Sequence, residues 1–232
     1  VQKLIAAFKY LTIWSRFTAF PPANETVGMG AIFFPVVGLA LGLLLALMNY
    51  LLAPYADSEI LSIGFVAALI VATGGAHLDG VTQTFLASAP PSERHAPNAL
   101  GFAAVVLVIL FKAGAANSMD ERLTLSLLLM PVLARWALVV FIFGCQDRCD
   151  EAARATAARV GAGQVLILTA ATLALVYYLL GRKGLLIGFL VSLLALLTRS
   201  LLYRRRTPLT HADFGTVIEF GEVLSLILLA SL

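Results

Sequence analysis

Residues 31–53 read AIFFPVVGLALGLLLALMNYLLA, with no charged side chain in the run. About twenty consecutive apolar residues are what a helix needs to cross the hydrocarbon core of a bilayer. β-Barrel strands are excluded, because they read as short alternating segments and this run is continuous. Further runs of the same kind follow outward along the chain: Ile60–Leu78, Ala99–Ala116, Leu123–Gly144, Gly163–Gly181, Gly184–Leu202 and Gly215–Leu232. The expected fold class is therefore all-α, a polytopic transmembrane helical bundle. It has seven candidate spans, or six if an end segment is re-entrant, in one integral-membrane domain covering 1–232.

The rest of the composition agrees. Of the 232 residues 60% are hydrophobic and only 12% charged, where a soluble domain carries about 25% charged residues. Mean hydropathy is +0.94. Too little polar surface is available to cover a soluble core, and too much apolar surface for a disordered chain. The net charge of +3 is no sign of nucleic-acid binding, since basic residues also set membrane orientation.

The opening Leu4–Phe20 reads differently. It mixes Lys9 and Arg16 with Phe8, Leu11, Trp14 and Phe17 and stops at Pro21-Pro22. A basic, aromatic, amphipathic segment of this kind is expected to lie in the membrane interface. A signal peptide is the competing reading, but no small-residue cleavage site follows a clean apolar core.

With seven spans, Lys3, Lys9, Arg16, Arg94, Arg148, Arg154, Arg159, Arg204, Arg205 and Arg206 share one side; Arg122, Arg182 and Lys183 share the other. That bias puts the N-terminus and the long polar loops in the cytoplasm. The same loops hold nearly all the chemically capable residues. Cys145 and Cys149 fit two reduced thiols better than a disulfide framework or a metal site.

Ionisable groups at membrane depth are costly and mark function by default. His77 and Asp79 close the second run within Gly74-Gly75-Ala76-His77-Leu78-Asp79-Gly80. The glycines admit a close ligand or backbone, which makes Gly74, Gly75 and Gly80 candidates for binding. Asp79 at a membrane mouth suits Mg²⁺, which takes one or two carboxylates with waters and substrate phosphates; pairing with a basic residue is the alternative. Glu219 and Glu222 stand i, i+3 on one helical face, with Asp213 just before them as a third carboxylate. Lys112 sits toward the far end of its run, within snorkelling reach of the interface. Arg135 lies mid-run, where either a buried Glu or an anionic ligand would satisfy it. The Arg204-Arg205-Arg206 run reads as a topology signal and headgroup anchor.

Several of these stretches resemble the adenosylcobinamide-GDP ribazoletransferase (cobalamin synthase) family. Phe34-Pro35-Val36-Val37-Gly38-Leu39-Ala40-Leu41-Gly42 is similar to its FPLVGLLLG element, and Gly74–Gly80 to its GGxHLDG signature. Lys112 falls at its LLxK, Ala134-Arg135-Trp136 at its mid-chain Arg element, and Ile218–Glu222 at its closing ExxE helix. The matches keep the family's order from about residue 8 to the end. The resemblance implies a Mg²⁺-dependent phosphotransferase of a bacterial or archaeal plasma (inner) membrane. Such an enzyme joins a nucleotide-linked corrinoid to α-ribazole or its 5′-phosphate, with release of GMP. The resemblance also implies metal work for Asp79 with support from Glu219 and Glu222. Charge adds phosphate contacts from Lys112 or Arg135, so His77, Asp79, Lys112 and Arg135 are the candidate catalytic residues. A metal site would be rebuilt from Asp79, Asp213, Glu219 and Glu222 or be lost. Partners are then these small molecules and the lipid bilayer, with no nucleic acid and with a homo-oligomer left open.

The chain departs from the family pattern at definite places. Where the family continues LADxxDG, this sequence has Gln83, Leu86 and Ala87. Arg94-His95-Ala96-Pro97 stands where DSRxGxxG is usual, and TGDxxGA becomes Thr210-His211-Ala212-Asp213-Phe214-Gly215. Two other readings follow: a non-catalytic or re-purposed relative that binds a cobamide-like ligand, and a small secondary transporter. The second lacks the internal repeat that transporter halves show.

Overall fold

The structure is a computed structural model that describes residues 1–18, 22–89, 99–119, 122–205 and 208–232. Among the described residues its regular structure is helical, with no β-strand beyond an isolated bridge between Cys149 and Leu209. The helices are α1 (Gln2–Leu11), α2 (Asn24–Met29), α3 (Phe34–Leu52), α4 (Ser58–Thr73), α5 (Ala76–Ser88), α6 (Ala99–Asn117), α7 (Leu123–Ile142), α8 (Glu151–Ala157), α9 (Ala162–Leu202) and α10 (His211–Ala230). Among the described residues four helical stretches are long and apolar enough to cross a membrane, or five if the bent pair α4–α5 is one span. The all-α membrane bundle is thus the observed fold class. Arg94, His95, Ala96, Pro97, Pro21 and Arg206 lie outside the described residues.

Helix α7 is the axis of the bundle, with residues 129–139 buried without interruption. Helix α3 lies against it through Gly38 and Gly42, four residues apart on one face. A Cβ at Gly38 would collide with the Pro131 carbonyl oxygen, and one at Gly42 would stand 2.5 Å from that of Leu128. Small residues at i, i+4 let two helix backbones touch, which gives packing energy where no hydrophobic drive exists between lipid and Leu. The glycines of the FPVVGLALG stretch therefore build the α3–α7 contact.

Two turns depart from the straight spans expected from hydropathy. The run 60–78 is broken at Gly74 and Gly75, whose φ values of 64° and 71° turn α5 by 84° from α4. His77 and Asp79 consequently sit on α5 and not at the end of the preceding helix. In α9 the break is at Gly181 (φ 61°, ψ −141°), in a region open essentially only to glycine. The halves of α9 fold back on each other: a Cβ at Gly184 would strike the Val176 carbonyl, and one at Gly188 would lie 2.7 Å from Leu173. The two expected runs flanking Arg182-Lys183 are these two halves.

The expected interfacial segment is α1 followed by a 3₁₀ turn at Ile13–Phe17. Thr12 separates them, donating its hydroxyl to Phe8 O at 2.6 Å and accepting from Trp14 N. Trp14 and Phe17 stay exposed, while Ala7 and Leu11 are buried on the bundle. The polar segments gather at that end. Arg16 donates to Gly74 O at 3.0 Å, Thr156 to Asn24 O at 3.2 Å, and Asp150 N to Leu209 O at 2.9 Å. At the other end Lys183 Nζ donates to Leu232 O at 3.1 Å.

Candidate functional site

Where α5 leaves the Gly74–Gly75 bend it runs beside the start of α10, and α1 closes the third side. These elements enclose a cleft of about 240 Å³ lined by Tyr10, Ala76, His77, Asp79, Gly80, Gln83, His211, Ala212, Gly215 and Ile218. Close approach of α5 and α10 needs Gly80, where a Cβ would stand 2.6 Å from Ala212 O, and Gly215, where it would stand 3.1 Å from His77 Cα. Gly80 thus serves helix packing as well as lining the cleft. Gly74 and Gly75 shape the bend and do not line the cleft, so the expected ligand contact from those two is not what the fold uses them for.

Helix α10 begins with a capping box. Thr210 Oγ1 accepts from Ala212 N at 3.2 Å, and Asp213 Oδ2 accepts from Thr210 N at 2.8 Å. This satisfies otherwise orphaned helix-start donors and puts negative charge at the positive end of the dipole. Asp213 is fully buried and its remaining contacts are also taken: Oδ1 accepts from Thr84 Oγ1 at 2.8 Å, and Oδ2 is ion-paired with Arg205. Thr216 Oγ1 donates to Thr84 Oγ1 at 2.9 Å, completing a polar clasp between α5 and α10.

Deeper in the bundle, four charged side chains form one buried set. Lys112 from α6 pairs with Glu219 at 2.6 Å and also with Glu222, which in turn holds Arg135 of α7. Arg135 is wholly buried and Lys112 is 3% exposed. Two cations and two anions balance, the arrangement by which buried charges avoid an uncompensated desolvation cost. The expected snorkelling of Lys112 is overturned: two acceptors inside the bundle outcompete the interface. Arg135 takes the buried-Glu alternative, and neither cation lines the cleft. His77 connects the two levels, with its ring in the cleft wall and Nδ1 4.0 Å from Glu219 Oε1.

The expected four-carboxylate metal centre does not assemble. Asp213 is held by Thr84, Thr210 and Arg205, Glu219 and Glu222 by Lys112 and Arg135, and Asp79 by Gln83, whose Nε2 donates to it at 2.6 Å. Among the described residues no three His, Cys, Asp or Glu side chains are grouped to hold a metal. Asp79 alone brings a carboxylate to the cleft, a donor set that fits Mg²⁺ only with ligand phosphates and water completing its shell.

Reading the sequence missed Thr84, Thr216, Tyr10 and His211. A hydroxyl i+5 from the motif Asp carries no charge signal, and only the α5–α10 contact brings it to Asp213. His211 packs between Tyr10 and Phe214, with ring centroids at 5.5 and 5.3 Å, and its Nε2 is 3.2 Å from Thr156 Oγ1. Burial pushes its pKa below the ordinary histidine value, against an opposing pull from Asp150. Cys145 and Cys149 are free and buried, with sulfurs 3.3 Å apart. The shared thiol contact and burial push Cys149 above the ordinary cysteine value.

A helical membrane bundle with one polar end and a small acidic cleft at a Gly-Gly bend defines the class. The model of the family described as Cobalamin-5-phosphate synthase matches residues 3–230, and the chain belongs to that family. It is 30% identical over 236 residues to a protein of Geotalea daltonii named adenosylcobinamide-GDP ribazoletransferase, covering 97% of this chain and 96% of that one. A protein of the same name from Roseiflexus is 30% identical over 95% of this chain and 86% of its own length. One from Desulforamulus reducens is 25% identical over 98% and 96%. No solved structure matches.

Proposed function

We propose that this protein is a ribazoletransferase. It transfers the phosphocobinamide moiety of adenosylcobinamide-GDP to α-ribazole or its 5′-phosphate, with GMP released, in cobalamin biosynthesis. What carries the reading is the match of nearly the whole chain to the family, joined to Ala76, His77, Asp79 and Gly80 of the motif stretch lining one cleft. In the reaction an acceptor hydroxyl oxygen bonds to the cobinamide-linked phosphorus. The bond from that phosphorus to the GMP oxygen breaks, and GMP leaves with the electron pair. The hydroxyl proton passes to a base, for which the cleft offers Asp79, His77 and His211. Phosphoryl transfer is mostly a matter of positioning and charge neutralisation. A cleft this small admits the diphosphate portion of the donor and leaves the corrinoid outside at the membrane surface.

Mg²⁺, held by Asp79 together with diphosphate oxygens and water, would neutralise the charge that develops on the leaving phosphate. Lys112, Arg135, Glu219 and Glu222 keep the helices beneath the cleft in register, and the Asp213 clasp holds the rim. The loop charges support an orientation with this end in the cytoplasm, and the family resemblance supports a plasma (inner) membrane location.

The test is release of GMP from adenosylcobinamide-GDP by the purified protein in lipid nanodiscs, with α-ribazole or its phosphate, with and without Mg²⁺. Turnover above an Asp79→Ala control is expected; its absence with both acceptors would sink the activity. The lone cleft carboxylate, where the family pattern has three, favours a second reading as a non-catalytic relative. Corrinoid binding that persists in full after chelation of divalent ions, without turnover, would select it.

A further inference from the structure

By sequence, the basic residues after α9 are a topology signal. In the fold one of them is built into a second cleft at the same polar end. This cleft, about 270 Å³, is lined by Arg148, Arg154 and Arg205 with Asp147, Tyr203 and Pro208 among its walls. It is separate from the Asp79 cleft and shares no lining residue with it.

Arg205 is the informative member. Its side chain is 8% exposed, and its Nη2 is committed to Asp213. Its Nε and Nη1 are buried and have no acceptor among the described residues. Unpaired buried donors of a charged group are costly and uncommon, so each calls for a partner. The other two arginines line the same cleft, and each is held by its own contacts. Arg154 donates to Gln146 O and Cys149 O, both at 3.2 Å, and Arg148 lies 5.7 Å from the ring centroid of Tyr203. The described lining holds three arginines and one carboxylate, Asp147. Planar guanidinium forks match the oxygens of a phosphate, and several together match a dianion better than a single carboxylate.

We infer that the Arg148–Arg154–Arg205 cleft is a phosphate-monoester site. Its ligand is a terminal phosphate carried either by a soluble molecule or by a lipid headgroup. Because Arg205 also holds Asp213, a phosphate there bears on the residue that clasps α10 to α5, at the edge of the Asp79 cleft.

The experiment uses the full chain in nanodiscs and reads binding without turnover, so its outcome is independent of the transferase assay. Inorganic phosphate is titrated at constant ionic strength into phosphatidylcholine nanodiscs, with binding followed by equilibrium dialysis of labelled phosphate and by the thermal unfolding midpoint. A parallel arm replaces part of the lipid with phosphatidic acid. Saturable phosphate binding is expected, weakened about tenfold or more in the Arg148→Gln/Arg154→Gln double variant, since charge-assisted hydrogen bonds are lost. Both of those side chains are exposed, so this variant is expected to fold, whereas Arg205→Gln strands the buried Asp213 and serves only as a second comparison. Stabilisation by phosphatidic acid alone, abolished by the same double variant, assigns the site to a headgroup. Absence of saturable binding from both sources, or binding unchanged in the double variant, overturns the inference.

Discussion

Replacing Lys112 by Met removes one of the two cations from a set that is otherwise neutral. Glu219 loses its 2.6 Å partner, and Glu222 keeps only Arg135. At an effective dielectric constant of about 20, two unit charges at that separation attract by about 6 kcal/mol, before desolvation is subtracted. Deleting one partner of a buried pair costs about 3–5 kcal/mol, because the other charge stays buried and uncompensated. Lys112→Met should therefore destabilise the bundle by that amount. Adding Glu219→Gln restores neutrality, leaving Arg135 with Glu222, and should recover most of the loss. The assay is reversible unfolding in mixed micelles with increasing denaturing detergent, run on the wild type, both single variants and the double variant. The cycle isolates the coupling between the two positions. A loss below about 1 kcal/mol for Lys112→Met, far under the buried-pair range, would refute the reasoning. So would a double variant no more stable than the single one.

Other expectations rest on backbone contacts and on one titrating group. Gly38→Ala puts a methyl group into the Pro131 carbonyl across the α3–α7 contact; it should cost about 1–3 kcal/mol in the same unfolding assay, whereas Gly64→Ala, with open space around it, should be near neutral. Gly181→Ala forces an L residue into φ 61°, ψ −141° and should lose about 1–3 kcal/mol. The pKa of His211 is lowered in the folded state by burial, so the unfolded chain binds the proton more readily. The His211 contribution is fully present above about pH 6.5 and fades as pH falls below it toward the folded value. His211→Gln should flatten that part of the stability–pH curve, and an unchanged acid limb would reject the assignment.

Much of the fold was legible along the chain because hydropathy is a one-dimensional quantity. The uncharged run 31–53 became α3, the run around Arg135 became α7, and the Arg182-Lys183 turn fell beside the Gly181 break. The 84° turn was not legible. Gly74 and Gly75 announce conformational freedom, but neighbouring packing decides whether a glycine pair bends a helix or lies within it. The charged candidate residues were also legible as unusual, since a charge at membrane depth needs an explanation wherever its partner lies.

Partnership was the part that sequence could not supply. Lys112 is 107 residues from Glu219 in the chain, Thr84 is 129 from Asp213, and both pairs are in hydrogen-bond contact. By itself the sequence determined a helical membrane protein with a few costly polar groups and the lineage that its ordered motifs carry. Only the tertiary structure decided that Asp213, Glu219 and Glu222 are consumed by internal partners while Asp79 stands in a cleft. The physical reason is that burying a charge forces it to find a counter-charge or donor, and the helix that provides one is chosen by packing across the bundle. Periodicity within a single helix carries no information about that choice.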